Sequence, residues 1–223
     1  MFTATPHSFI STPEKGNVSA LLVQPPESVA LLVLGHGAGA GMSHENMEGI
    51  AQAMGQQGIA TLRYQFPYME RGGGRDSEKV SLATVHSAVQ YAHGLDLGLK
   101  LLAGGHSFGG RMTSIAAAQG MLDPIEGLVF CNFPLHAPGK PSTHRAAHLT
   151  DIKVPMLFLS GNRDTFAQPP LLTEVMSKIQ SKAQLHWLDT VNHGYKILKR
   201  KRVDAEPVFD EMARVTREWL GNQ

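Results

Sequence analysis

Residues 105–109 read Gly-His-Ser-Phe-Gly, and Gly104 and Gly110 extend the run on either side. A serine attacks a carbonyl when a base takes its proton and its hydroxyl stands clear of the backbone. A sharp strand-to-helix turn lifts the hydroxyl, and side chains two positions either side of the serine would collide there. Gly105 and Gly109 meet that need. The apolar run Leu99–Ala103 precedes the turn and a helical pattern, Met112–Ala118, follows it. The turn also leaves the Phe108 N–H at a helix N-terminus, where it favours negative charge. A chain with 23 glycines produces this pattern by chance, and the competing reading is a structural glycine turn. Its place between strand and helix favours Ser107 as a nucleophile.

A nucleophilic serine needs a base, an acid to orient that base, and a second oxyanion donor. Val29–Leu34 is wholly apolar and runs into Gly35-His36-Gly37-Ala38-Gly39-Ala40-Gly41. Backbone this bare approaches a ligand closely, and the Ala38 N–H is the expected partner of Phe108 in an oxyanion hole. The rival is a dinucleotide-binding loop. It fits poorly: the glycines alternate, and Arg63 and Tyr64, not an acid, end the next strand. Val154–Ser160 leads into Gly161-Asn162-Arg163-Asp164, and Gln184–Leu188 leads into Asp189-Thr190-Val191-Asn192-His193. Of the 11 histidines, His193 is selected by the order Ser107, Asp164, His193, each in a loop after its own strand. For Asp164 the competing role is capping a helix near Pro169, and Asp189 is the rival acid. His36 is read as a brace of the oxyanion loop and His106 as a packed side chain.

These loops need strands to carry them, and the pattern supplies strands alternating with helices. Ile59–Tyr64 and Ile125–Cys131 complete the inner strands. Helices are marked by Met47, Ile50, Ala51 and Met54 with Ser43 as N-cap, and by Leu82, Val85, Val89 and Ala92 behind Asp76 or Ser77. Two more carry Leu172, Val175, Met176 and Ile179, and Val208, Met212, Val215 and Trp219 after Pro207 at the first helical position. Residues 8–24 read as an antiparallel edge hairpin turning at Lys15-Gly16-Asn17. This rhythm implies an α/β fold with a parallel sheet covered on both faces, in one domain over residues 1–223. Ligands of such sheets lie beyond the carboxyl ends of the strands.

Composition narrows the function classes. A hydrophobic fraction of 42% with 20 Lys and Arg against 19 Asp and Glu excludes a disordered chain. No apolar run reaches the roughly 18 residues of a membrane span, so no membrane partner is expected, and Met1–Ile10 does not read as a secretory signal. Cys131 is the single cysteine; it excludes an internal disulfide and a CxxC metal site and suits the cytoplasm. No metal or other cofactor is expected. Lys196, Lys199, Arg200, Lys201 and Arg202 form a short basic run without interleaved aromatics. It reads as a solvated loop rather than a nucleic-acid patch.

The four loops together resemble the α/β-hydrolase superfamily over nearly the whole chain. A narrower resemblance is to compact dienelactone-hydrolase-like proteins, related to a testis-expressed hydrolase-like protein and to a subunit of a chromatin acetyltransferase complex. It is carried by His36–Gly39, Arg63-Tyr64-Gln65-Phe66-Pro67-Tyr68, Gly105–Gly110, Gly161–Asp164 and Asn192-His193. The resemblance implies a mostly parallel eight-stranded sheet and a Ser-Asp-His order. Dienelactone hydrolases use cysteine where Ser107 stands, so their substrate is not carried over. Some relatives are scaffold components, and a non-catalytic binding protein is the alternative class.

The stretch between Cys131 and Val154 is rich in proline and too short for a lid domain. A small acyl ester is therefore the expected substrate, with thioester or peptide as alternatives sharing the mechanism. Arg63, Phe66, Tyr68, Phe133 and Phe166 are the expected substrate-binding residues, with Met42 and Phe108 as further lining. Arg63, Arg71 and Arg75 flank Gly72-Gly73-Gly74 and present a candidate clamp for an anionic substrate. The competing role for Arg63 is bracing a loop through backbone carbonyls; Arg71 and Arg75 read rather as solvated side chains.

Overall fold

A computed structural model describes residues 1–198, 202 and 206–222. Eight strands form one sheet in the order β1-β2-β4-β3-β5-β6-β7-β8. They are β1 (Thr5–Thr12), β2 (Gly16–Val23), β3 (Ala30–Gly35), β4 (Ile59–Tyr64), β5 (Lys100–His106), β6 (Gly127–Cys131), β7 (Met156–Gly161) and β8 (Ala183–Leu188). β1 and β2 form the antiparallel edge hairpin, β2 joins β4 antiparallel, and every later pairing is parallel. The alternating pattern implied the parallel sheet and the resemblance its eight strands, and this is the α/β-hydrolase fold, without a large extra domain.

The apolar patterns explain the layers. Every residue of β3, β4, β6 and β7 is buried, as parallel strands covered on both faces require. α1 (Glu45–Gln56) and α6 (Val208–Gly221) cover one face, where Met47, Ile50 and Met54 pack with Met212 and Trp219. Each such apolar side chain contributes about 1.5–3 kcal/mol. α3 (Glu78–Gly94), α4 (Phe108–Ala118) and α5 (Pro169–Ile179) cover the other, with Leu82, Val85, Met112, Leu172 and Val175 in its core. α2 (Pro67–Arg71) is a short turn of helix after β4.

Several boundaries differ from the sequence expectation. α1 is capped by His44, whose Nδ1 accepts the Asn46 N–H at 3.1 Å, and not by Ser43. A turn closed by the His44 N–H on the Gly41 carbonyl carries the chain past Ser43 first. Ser77 caps α3, accepting the Val80 N–H. Pro207 is extended, at ψ 142°, so it stands before α6 rather than in it. The segment after β6 contains a 3₁₀ helix, His144–Asp151, where composition suggested only loop. Of the basic run, Lys199, Arg200 and Lys201 lie outside the described residues. Arg202 donates to the Asp189 and Glu206 carbonyls and pairs with Glu211.

The largest difference concerns the glycine run. β5 continues through Gly104 and Gly105 to His106, and α4 begins at Phe108, so Ser107 alone separates strand from helix. Glycine usually weakens a strand. Here it lets two neighbouring backbones close in: a Cβ on Gly104 would overlap the Val129 carbonyl of β6. Gly104→Ala is expected to destabilise the fold by about 3 kcal/mol, read as a lowered urea midpoint. An unchanged midpoint would show that β5 and β6 are not held at this spacing.

Candidate active site

Chain order places the site. β3 leads to β4 on one side and β5 then returns to the other. The loops after β3 and β5 therefore diverge at their carboxyl ends, where a crevice opens. Ser107 sits there with φ 51° and ψ −109°. Such a conformation costs a non-glycine residue about 1–3 kcal/mol. It is held by the Ser107 N–H on the Cys131 carbonyl at 3.1 Å and the Arg111 N–H on the Ser107 carbonyl at 2.9 Å.

The three residues singled out by their order meet in one chain of hydrogen bonds. His193 Nε2 lies 2.8 Å from Ser107 Oγ, and His193 Nδ1 lies 2.7 Å from Asp164 Oδ2. The Phe166 N–H donates to Asp164 Oδ1 at 2.8 Å. A carboxylate only accepts, so Nδ1 carries the imidazole proton and Nε2 accepts from the serine hydroxyl. Asp164 is 1% exposed, whereas His193 reaches the cleft. Asp189 is elsewhere, accepting from Asn162 Nδ2 at 2.7 Å.

Phe108 opens α4, so its N–H has no acceptor within the helix. The Ala38 N–H has no backbone acceptor among the described residues. Both residues line the cleft beside Ser107. The loop carrying Ala38 is tied at four points to residues 63–68. Arg63 donates to the Met42 carbonyl at 3.2 Å, and the Met42 N–H donates to Gln65 Oε1 at 2.8 Å. The Phe66 N–H donates to His36 Nε2 at 3.0 Å, and the Tyr68 hydroxyl donates to the Ala38 carbonyl at 3.0 Å.

These bonds correct the expected substrate contacts. Of that set, Phe166 lines the cleft. Arg63, Phe66 and Phe133 have no exposed surface and Tyr68 almost none. Arg63 reaches inward because its stem is on a strand buried on both faces; besides Met42 it meets Glu48 at 3.4 Å. Phe66 and Tyr68 stack on each other and meet Phe108 edge-on. Phe133 packs between Phe130 and Phe158 in the core. The clamp of Arg63, Arg71 and Arg75 is likewise not assembled: Arg71 pairs with Asp76 at 3.1 Å, and only Arg75 lines the cleft.

Asn132 escaped the sequence analysis. It is fully buried, with φ 52°, directly after β6. Its Nδ2 donates to the Asn192 and His193 carbonyls at 3.2 and 3.0 Å, and its Oδ1 accepts the Gly161 N–H at 2.8 Å. It thus ties the loops of Asp164 and His193 together. The available signal was a polar residue directly after a wholly apolar strand. His106 packs on His193 and contacts the Tyr195 hydroxyl at 3.0 Å. Burial, and then the His193 ring, push its pKa down to about 3, so it stays neutral. Burial pushes the Cys131 thiol up to about 12, which leaves it unreactive.

The alpha/beta hydrolase domain family matches residues 28–221. The chain belongs to that family. Among solved structures, this hydrolase-family chain is similar to dienelactone hydrolase from Anabaena variabilis, with 16% identity, a TM-score of 0.73 and 98% of each chain covered. It is also similar to Est1E from Butyrivibrio proteoclasticus, with 17% identity, a TM-score of 0.71 and 92% and 94% of the two chains covered. A third similar structure is an α/β serine hydrolase without lid from Xanthomonas campestris, with 17% identity, a TM-score of 0.71 and 97% and 94% covered. At these identities the likeness is one of fold.

The loop after β3 of this family member carries a titration of its own. Burial lowers the His36 pKa from 6.5 to about 4. The unfolded chain then takes the proton first as pH falls. The stabilisation from a neutral His36 is complete above pH 6.5 and disappears as pH falls through 4, a loss of about 3 kcal/mol. Urea midpoints measured from pH 7 to 4 are expected to fall steeply in the native protein and less steeply in His36→Gln. Parallel curves would remove His36 as the source.

Proposed function

We propose that residues 1–223 act as one serine-hydrolase domain that cleaves small carboxylic esters through an acyl-enzyme. The observation that carries this is the unbroken hydrogen-bonded chain Ser107–His193–Asp164, with its serine on a strained turn beside the Ala38 and Phe108 N–H groups, which have no backbone acceptor among the described residues. Neighbours described as a dienelactone hydrolase and a serine hydrolase are consistent with that class. The resemblance to testis-expressed and chromatin-complex proteins leaves a scaffold role as the other class. A binding scaffold has no use for three such side chains in register.

In the proposed reaction, His193 Nε2 takes the Ser107 proton as Oγ bonds to the acyl carbon. The carbonyl electron pair moves onto oxygen, facing the N–H groups of Ala38 and Phe108. Each such donor lowers the barrier by about 3–4 kcal/mol. When the carbonyl reforms, the bond to the alcohol oxygen breaks and the alcohol leaves with the His193 proton. Water then gives a proton to His193 and its oxygen to the acyl carbon. The Oγ–carbon bond breaks, Ser107 regains its proton, and the acid leaves. Asp164 holds the Nδ1 proton and stabilises the imidazolium throughout.

The cleft has a volume of about 590 Å³, within the range of small-molecule sites. That size favours a small acyl group over a long lipid chain. A thioester or an activated amide would follow the same steps. Ser107→Ala is expected to bring hydrolysis of p-nitrophenyl acetate to background and to abolish labelling by a fluorophosphonate. Asp164→Asn is expected to lower kcat by about 10⁴-fold. Undiminished turnover in Ser107→Ala would overturn the proposed mechanism.

A further inference from the structure

The charged lining of the Ser107 cleft has one sign. Arg75, Arg111 and Arg145 line it, and no Asp or Glu does among the described residues. They arrive from three separate segments: the loop before α3, the first turn of α4, and the 3₁₀ helix between β6 and β7. Guanidinium groups gathered in this way repel one another, more strongly where water is partly excluded. Arg145 stands where burial and the other two charges act together. Its pKa is lowered, first by burial and then by Arg111 and Arg75.

Nothing within the described protein neutralises all three. Arg111 pairs with Glu78 at 3.1 Å, yet its Nε is buried without a hydrogen-bond partner. Arg75 lies over the Phe108 ring at 5.9 Å and makes no ion pair among the described residues. Arg145 makes no ion pair among the described residues. Apolar side chains, Phe108, Phe166, Pro134 and Pro138, share the lining and strengthen any charge-assisted hydrogen bond made there.

We propose that Arg75, Arg111 and Arg145 bind an anionic group, a carboxylate or a phosphate, on the acyl substrate cleaved at Ser107. Planar guanidinium forks match the paired oxygens of either group. The proposal rests on the hydrolase function assigned to Ser107. It narrows the substrate to esters that carry negative charge on the acyl or the alcohol side, and it makes neutral esters poor substrates.

The test compares kcat/KM for p-nitrophenyl pentanoate with that for mono-p-nitrophenyl glutarate, which places a carboxylate on the acyl side. A butyryl ester of glycerol 3-phosphate, with butyrylglycerol as its neutral counterpart, places a phosphate on the alcohol side. One anionic ester is expected to exceed its neutral counterpart by about tenfold or more. That ratio is expected to collapse in Arg111→Gln/Arg145→Gln and to recover in part in Arg111→Lys/Arg145→Lys. Should the glutamine variant not fold, the native ratio is followed from roughly 20 to 500 mM NaCl and is expected to fall as salt screens the charges. A native ratio near one, a ratio unmoved by the double substitution, or a salt-independent ratio overturns the proposal.

Failure of the underlying activity reads differently. If no ester is turned over and the fluorophosphonate leaves Ser107 unlabelled, the hydrolase function falls. The anion site is then judged by calorimetric titration with inorganic phosphate. Binding by the native protein that is lost in the glutamine variant keeps the site, and absence of binding overturns it.

Discussion

The site is built on a close contact between two backbones, the end of β3 and the start of α4. The first turn of α4 lies directly on the end of β3. The Gly109 N–H donates to the His36 carbonyl at 3.0 Å, and a Cβ on Gly109 would overlap the Gly35 backbone. A Cβ on Gly105 would strike the same carbonyl region of Gly35. With both side chains absent, the turn is sharp enough to hold Ser107 at positive φ. The same approach sets the loop after β3 beside the N-terminus of α4. The proposed nucleophile and the proposed oxyanion donors therefore share one geometric cause.

Around that contact, the surroundings act mainly as braces. Residues 63–68 hold the Ala38 loop from below through Arg63, Gln65, Phe66 and Tyr68. Asn132 holds the Asp164 and His193 loops from the side. Each brace satisfies backbone groups that would otherwise be buried without partners, at a cost of about 1–3 kcal/mol apiece. Rigid donors do not reorganise when charge develops, which is the property an oxyanion site requires.

The arginines illustrate how side-chain type and side-chain place come apart. Arg63, Arg71 and Arg75 lie close in sequence around three glycines, which made an anion clamp one candidate reading beside a loop brace and solvated side chains. Arg63 is on a strand buried on both faces and is turned into the protein; Arg71 is engaged by Asp76. The arginines that do face Ser107 are Arg75, Arg111 and Arg145, from segments far apart in the chain. Arg145 stands on a 3₁₀ helix where composition indicated only a loop. Asn132 was missed for a similar reason: its partners lie at the end of β7 and in the loop after β8.

What the sequence determined by itself was local and repetitive. Wholly apolar runs alternating with helical stripes implied a parallel sheet, because only strands covered on both faces tolerate such runs. The loop after each strand could then be read in order, and Ser107, Asp164 and His193 followed. Glycines at positions 105 and 109 marked the turn because steric exclusion acts over two residues. Tertiary structure alone decided which residues brace, which line the cleft, and what charge the cleft carries. Those properties depend on the direction in which a side chain leaves its strand or helix and on what lies across the gap. Distances between segments remote in sequence are set only when the sheet order, the β3–α4 contact and the connecting loops are all in place.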